Sequence, residues 1–453
     1  LLGAAAAGIP LGGWLAYRGR QSPFTGRSVE VPRPALAIPG PFPGRVVEVQ
    51  HQGAVNARYD INADTVAAMM RRGMCQLVGT SDVDSAWQRF FERDDVVGIK
   101  VNPVGQNANR RGRQGRPGVV SSPAIVLETV RCLHEYAGIP RRNIIVFDRY
   151  ADAFRQVYDK LMRSGPMKGV KWYASSSIYN DTQLAIDGQE LRDRDRHVVG
   201  YDPDVFVSMG YCAREHDQHD DRRHRSHLSM IVSRLVNKII TIPNLKDHKS
   251  GGVTIALKNL SHGMNNNVAR SHLGNIPLKG GEMSFPNQCG TFIPTAVAQR
   301  PTLEKATLHI LDGLIGVYEG GPGMWNATWG YWPRQSLFFA TDPVAMDHVG
   351  WDIIDAKRVE MGWLPVAQMG RLHGAPGAVL SPRLAALAAM TPPFGTAGAL
   401  LETQCRQAQL RSTVEFDRRQ PEHIVLAGVL GLGRFNANEI DHRVIRMSPQ
   451  SPP

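Results

Sequence analysis

An α/β fold on a mostly parallel sheet is what this chain predicts, and three features carry the prediction. Short, nearly continuous apolar runs at 96–101, 143–147, 239–242 and 307–311 suit strands covered on both faces. Between the first two lies a helical stretch, 123–136, and strand–helix–strand in that order builds a parallel pair. Several runs are followed at once by an amine, amide or acid, as expected where strand ends gather into a ligand crevice.

The elements follow in order. Residues 1–17 are apolar and rich in alanine and glycine, with Arg18 and Arg20 behind them. They have about the length of a signal core and fall short of a bilayer span of roughly 20 residues. Residues 1–20 are therefore read as a twin-arginine-like export signal or membrane tether. The expected location is the periplasm or the outer face of the cytoplasmic membrane. Residues 21–60 form an extended proline-rich lead-in with one strand at 45–49. Asn62 caps a helix over 63–73, where Val66, Met69 and Met70 recur at helical spacing, and 81–91 is a second helix.

The core is expected over 61–355. After the strand at 96–101 comes a glycine- and arginine-rich loop, then a helix capped by Ser122 with Pro123 at its first position. A helix over 151–163 and an irregular region, 165–215, follow, with a further helix at 226–236. The strand at 307–311 ends at Asp312, and glycine-rich residues 313–323 are read as a loop. The strand at 336–340 ends at Thr341-Asp342-Pro343, the start of a capped helix. Residues 356–420 are read as a helical insertion, and 421–453 as a helix and strand completing the core.

Composition narrows the function. With 42% hydrophobic and 21% charged residues among 453, the chain is neither disordered nor a multi-span membrane protein. The net charge of +11 is concentrated in arginine clusters at 109–116 and 222–225. In an exported protein these suit anionic lipid or an acidic partner; nucleic acid is set aside. Five scattered cysteines without a C-x-x-C pair argue against an iron–sulfur cluster made by cysteines alone.

The strand ends supply the candidate site. They bring Lys100 and Asn102, then Asp148, then Lys246 and His248, then Asp312 and Asp342 to one rim, provided the sheet is parallel. Lys258, Asn259 and His262 follow the Lys246 run closely, and Gly320 and Gly321 could let backbone approach a ligand. Lysines and an imidazole beside carboxylates serve acid–base chemistry or bind a small anion. Lys100 stands out, because an ammonium inside an apolar strand needs a partner. His248, flanked by Lys246 and Lys249, should have a lowered pKa if the three converge. A divalent metal is a second reading, on Asp148, Asp312 and Asp342 or on His216, His219 and His227, which share one face of a helix. Asp342 is also a plain helix cap, and Asp148 and Asp312 plain turn caps.

The segments VGIKVNP, NIIVFD, IITIPNLKDHKSGGVTIALKNLSHG, LHILDGLIGVYEGGPG, FFATDPVAMDHVGWDII and PEHIVLAGVLGLG, in that order, resemble the DUF362 family. The resemblance covers about 96–355 and 421–446. It implies an α/β fold and places Lys100, Asn102, Lys246, His248, Lys258, Asn259, Asp312 and Asp342 at motif positions. It carries little settled biochemistry, and this chain lacks the ferredoxin-type cysteine runs of some members. Two functions are therefore carried forward. One is an exported enzyme acting on a small anionic ligand at the Lys/His/Asp rim, with or without a metal. The other is a non-catalytic subunit or binding protein of a membrane-associated redox complex, tethered through residues 1–20.

Overall fold

The structure is a computed structural model that describes residues 33–105, 117–177, 186, 198–208, 224–248, 251–268, 271, 288–324, 329–363, 365–366 and 421–448. Twelve strands are found among them: β1 (Arg45–His51), β2 (Val97–Val101), β3 (Ile144–Tyr150), β4 (Lys171–Ser176), β5 (Tyr201–Ser208), β6 (Arg225–Ser229), β7 (Lys238–Ile242), β8 (Asn244–His248), β9 (Gly252–Thr254), β10 (Ala306–Glu319), β11 (Gly330–Ala340) and β12 (Asp441–Met447). The α-helices used below are α1 (Ala63–Val78), α2 (Val83–Gln88), α3 (Pro123–Glu135), α4 (Ala151–Met162), α5 (Ala256–Ser261), α6 (Gln288–Val297), α7 (Arg300–Lys305), α8 (Pro343–Glu360) and α9 (Glu422–Val429).

The main sheet runs in the order β12-β1-β11-β10-β7-β2-β3-β4. Along that path β11 alone is reversed, pairing antiparallel with both β1 and β10. The remaining neighbours are parallel, so the expected α/β class with a mostly parallel sheet holds. A hairpin, β8–β9, branches off at Pro243 with β8 alongside β10.

Strand alternation sorts the core into two layers. On one face Val97, Ile99, Val101, Ile144, Val146, Ile240, Ile242 and Ile310 pack with Met70 and Met74 of α1, Trp87 of α2, Ile125 and Val130 of α3 and Tyr158 of α4. On the other, Ile145, Phe147, Ile239, Leu245, Val253 and Leu311 pack with Leu257 and Leu260 of α5, Ile293 of α6, Val344 and Val349 of α8 and Ile424 of α9. Helices thus cover both faces, which is why the strand sequences are apolar throughout.

The helix starts follow their caps. Asn62 accepts from Thr65 N, Ser122 from Ala124 N, and Asp342 from Val344 N and Ala345 N. Three expectations are revised. Residues 313–319 are strand, not loop: β10 continues to Glu319, because Gly313 and Gly316 lie under the rings of Phe338 and Trp332 on β11, where a Cβ would collide. Residues 226–236 are not one helix. Arg225–Ser229 pairs antiparallel with β5, and only Ile231–Leu235 coils, as one wide π turn. Within 165–215, β4 and β5 are regular strands.

Candidate functional site

Helix α5 is the hub. It spans six residues, all of them buried. Its N-terminus is held by Asp347 of α8, whose carboxylate accepts from Ala256 N at 2.7 Å and from Leu257 N. From this short helix Asn259 reaches Lys100, the charge of Lys258 is felt at Lys246 and Cys289 acts on Lys258, and His262 at its end meets Ser271.

Lys100 sits in a closed network. Alternation turns it away from Val97, Ile99 and Val101, toward the α5 side of the sheet. Its ammonium donates to Asp148 Oδ1 at 2.6 Å, to Asn259 Oδ1 at 2.8 Å and to the Val101 carbonyl at 2.6 Å. Three donors therefore meet three acceptors. Burial lowers its pKa and Asp148 opposes that fall. Gly263 must be glycine here, since a Cβ would lie 2.5 Å from Lys100 Nζ.

Lys246 sits differently. Leu245 and Val253 belong to the α5-side core, so Asn244, Lys246 and His248 of β8 and Thr254 of β9 face the other way. Asp312 follows Ile310 onto that same face, in register with Asn244. Lys246 is fully buried, and its ammonium donates to the carbonyls of Val104 at 2.5 Å, Pro322 at 3.3 Å and Val119 at 3.4 Å. Burial draws its pKa down to about 7; Asp247 counteracts, Lys258 pushes the same way as burial, and Asp312 counteracts again. The Asp312 carboxylate accepts from Ser122 N at 2.8 Å and Leu314 N at 3.1 Å. Burial raises its pKa to about 7 against those two N–H groups and the Lys246 charge. A lysine and an aspartate that both titrate near neutrality on one strand face can hold or move a proton.

The hairpin is braced from its opposite face. Asp247 accepts from Gly321 N at 2.7 Å and lies 3.9 Å from Arg358, which also pairs with Glu319 at 2.6 Å. A Cβ on Gly321 would collide with the Asp247 carbonyl, so glycine is required for this close approach. Gly320, with φ of 88°, shapes the same turn. Both predicted glycines thus lie beside the Lys246 site, where they set backbone position. Asn102 does likewise, accepting from Val104 N at 3.1 Å.

A third cluster lies under α5. His262 Nε2 is 2.7 Å from Ser271 Oγ and 3.9 Å from Cys289 Sγ, and Cys289 donates to the Ser271 carbonyl at 3.2 Å. Burial lowers the pKa of Lys258, and nearby Cys289 raises it. His423, fully buried 3.9 Å from Asp347, is pulled down to about 3 by burial and by the Lys258 charge.

The candidate residues fall into three groups. Lys100, Asp148 and Asn259 form one network; Lys246, His248 and Asp312 share one strand face; Lys258 and His262 lie with Cys289. The acidic metal set does not assemble. Asp148 is committed to Lys100 and Asp312 to the start of α3. Both oxygens of Asp342 accept backbone N–H groups, from Val344, Ala345, Gly44 and Arg434, each at 2.9 Å. Among the described residues no three His, Cys, Asp or Glu side chains gather as a metal would require. His216 and His219 lie outside the described residues. His227 is in β6, not on a helix, with Nδ1 2.9 Å from the Asp202 carbonyl oxygen.

Four contributors escaped the sequence reading: Thr254, Cys289, Arg358 and His423. Thr254 had only a weak signal: Gly251-Gly252 marks a turn, but the register that sets Thr254 opposite Lys246 comes from the pairing of His248 with Gly252. The other three come from distant helices and had none.

The fold and site define an α/β protein with a buried lysine- and histidine-rich centre at the carboxyl ends of its parallel strands. Residues 209–352, from before β6 into α8, match the family model of a domain of unknown function, DUF362. No curated protein matches it. A crystal structure of a Thermotoga maritima protein is similar at 11% identity, covering 86% of this chain and 88% of that one, with a TM-score of 0.36.

Proposed function

We propose that this protein is an enzyme that binds a small anion on the Lys246 face of hairpin β8–β9 and uses Lys246 with Asp312 for proton transfer. One observation carries the reading. Lys246 is fully buried, and its hydrogen bonds go to backbone carbonyls rather than to a carboxylate. A buried ammonium placed this way, with a second lysine adding positive potential, is poised for a negative charge brought by a ligand. With Lys246 protonated and Asp312 neutral the centre attracts an anion. Loss of the Lys246 proton to the bound molecule is then general acid catalysis, and Asp312 is positioned to restore it. In this reading Lys100 is a positioning residue that anchors α5, and His248 borders the ligand face.

Export through residues 1–20, and action at the outer face of the cytoplasmic membrane, belong to the same proposal. They are supported by the apolar run at the start of the sequence. Among the described residues no helix is long and apolar enough to cross a membrane. Metal assistance through His216 and His219 forms no part of the proposed chemistry.

The test is a thermal-shift screen of the full chain against phosphate, sulfate and small carboxylates, repeated with Lys246→Met. The proposal expects at least one anion to stabilise the wild type and none to stabilise a folded Lys246→Met protein. Equal stabilisation of both would refute it.

A further inference from the structure

Two further polar groups share the Lys246 face. Asn244 is fully buried, and among the described residues neither the nitrogen nor the oxygen of its amide has a hydrogen-bond partner. The hydroxyl of Thr254, also buried, has none either. Leaving such groups unpaired costs roughly 1–3 kcal/mol each, so two on one small surface need a reason. Register places them together. Thr254 stands directly opposite Lys246 in the antiparallel hairpin, and Asn244 lies two residues from Lys246 on the same strand, about 7 Å away. Asn244 is also the register partner of Asp312. The four side chains thus share one strand face.

Their donor and acceptor types restrict what fits. Lys246 brings a positive charge, and the amide nitrogen of Asn244 and the hydroxyl of Thr254 offer hydrogens to anionic oxygens. The amide oxygen of Asn244 needs a hydrogen, however it is turned, and a bare carboxylate or the dianion of a phosphate monoester has none. A cationic donor such as an amine is disfavoured by Lys246 and Lys258, whose charges already act on each other. A neutral hydroxyl remains.

Building on the anion-binding reading above, we propose that the ligand is a small hydroxylated anion. Its charged oxygens rest on Lys246 and its hydroxyl on Asn244, and Asn244 and Thr254 set the specificity. The source of the charge, carboxylate or phosphate, is for experiment to separate.

Two matched pairs make the test on the full chain: lactate against propionate, and glycerol 3-phosphate against propyl phosphate, with binding measured by calorimetry and thermal shift. The expectation is that the hydroxylated member of one pair binds about tenfold tighter or more, and that pair names the charged group. Asn244→Leu, similar in volume, should bring the two members to equal affinity while keeping the weaker one's binding. Thr254→Val should narrow the gap as an independent check. Matched members binding alike to wild type, with Lys246→Met abolishing both, would overturn this inference and leave the anion site standing. A preference that survives Asn244→Leu would also overturn it. No binding by any of the four would remove both this inference and the reading beneath it.

Discussion

Lys100 on β2 and Lys246 on the hairpin strand β8 are both buried lysines, yet their surroundings differ in kind. Lys100 has a carboxylate, an amide oxygen and a carbonyl for its three hydrogens, all within 2.8 Å. Lys246 has carbonyls at 2.5 to 3.4 Å and two polar neighbours that lack partners among the described residues. The first arrangement is complete by itself, and its effect is to bolt α5 to the sheet. In the second the ammonium has no carboxylate and two buried neighbours lack partners among the described residues, which is the feature the proposed ligand would answer. Burial alone does not distinguish the two lysines; the identity of their partners does.

This contrast can be broken most directly at Lys100. Lys100→Met strands the Asp148 carboxylate and leaves the Asn259 amide oxygen without its donor, and should cost about 3–5 kcal/mol in urea unfolding. A loss below about 1 kcal/mol would show that the network is not structural. Glu48, on β1, extends the comparison to a second closed network, bonded to Arg334, Ser336, Gln50 and His442. Burial pushes its carboxyl upward, but His442, Arg334, Ser336 and Gln50 outweigh this and hold it at about 2. Because that value lies below the unfolded one, its stabilisation is full above about pH 4.5 and is lost as pH falls toward 2. The loss amounts to about 3 kcal/mol. Urea midpoints of wild type and Glu48→Gln should therefore converge between pH 5 and pH 2.5, and parallel curves would reject the assignment.

The open site should respond to pH through binding. As pH rises through about 7, Lys246 loses its charge and Asp312 gains one, so both changes repel an anion. Affinity for the stabilising anion should fall on the order of tenfold to a hundredfold from pH 6 to pH 8, depending on whether one or both protons are coupled. A flat profile measured by calorimetry would contradict this. The smallest effect is expected on the stability of Lys246→Met at pH 6. Removing a buried ammonium that lacks a carboxylate should leave the protein as stable as wild type or about 1–2 kcal/mol more so, opposite in sign to Lys100→Met.

Much of this architecture could be read from residues alone. The apolar strands, the caps at Asn62, Ser122 and Asp342, and the β2–α3–β3 unit follow from local patterns, and local patterns suffice for them. The concentration of buried polar side chains between β7 and the end of α5 was equally legible, because Lys246, His248, Lys258 and His262 are close in sequence. What the sequence could not supply was partition. Whether Lys100 joins Lys246 or Asp148 depends on which sheet face each occupies, and that is fixed by the turn at Pro243 and the pairing of β8 with β10. The same non-local pairing turned a glycine-rich run into strand, since Gly313 and Gly316 answer to rings on β11. Asp342 was correctly foreseen as a cap, and its four N–H partners use up the oxygens a metal would need.

The most direct test is the titration of Lys246 itself, by NMR of the protein labelled with carbon-13 at lysine Cε, with the signal assigned by its disappearance in Lys246→Met. The account predicts a midpoint near 7 that moves upward when the stabilising anion is added, because a bound negative charge favours the ammonium. A midpoint in the ordinary lysine range, unmoved by any anion, would mean that Lys246 already has the partner it needs and that the proposed site is not there.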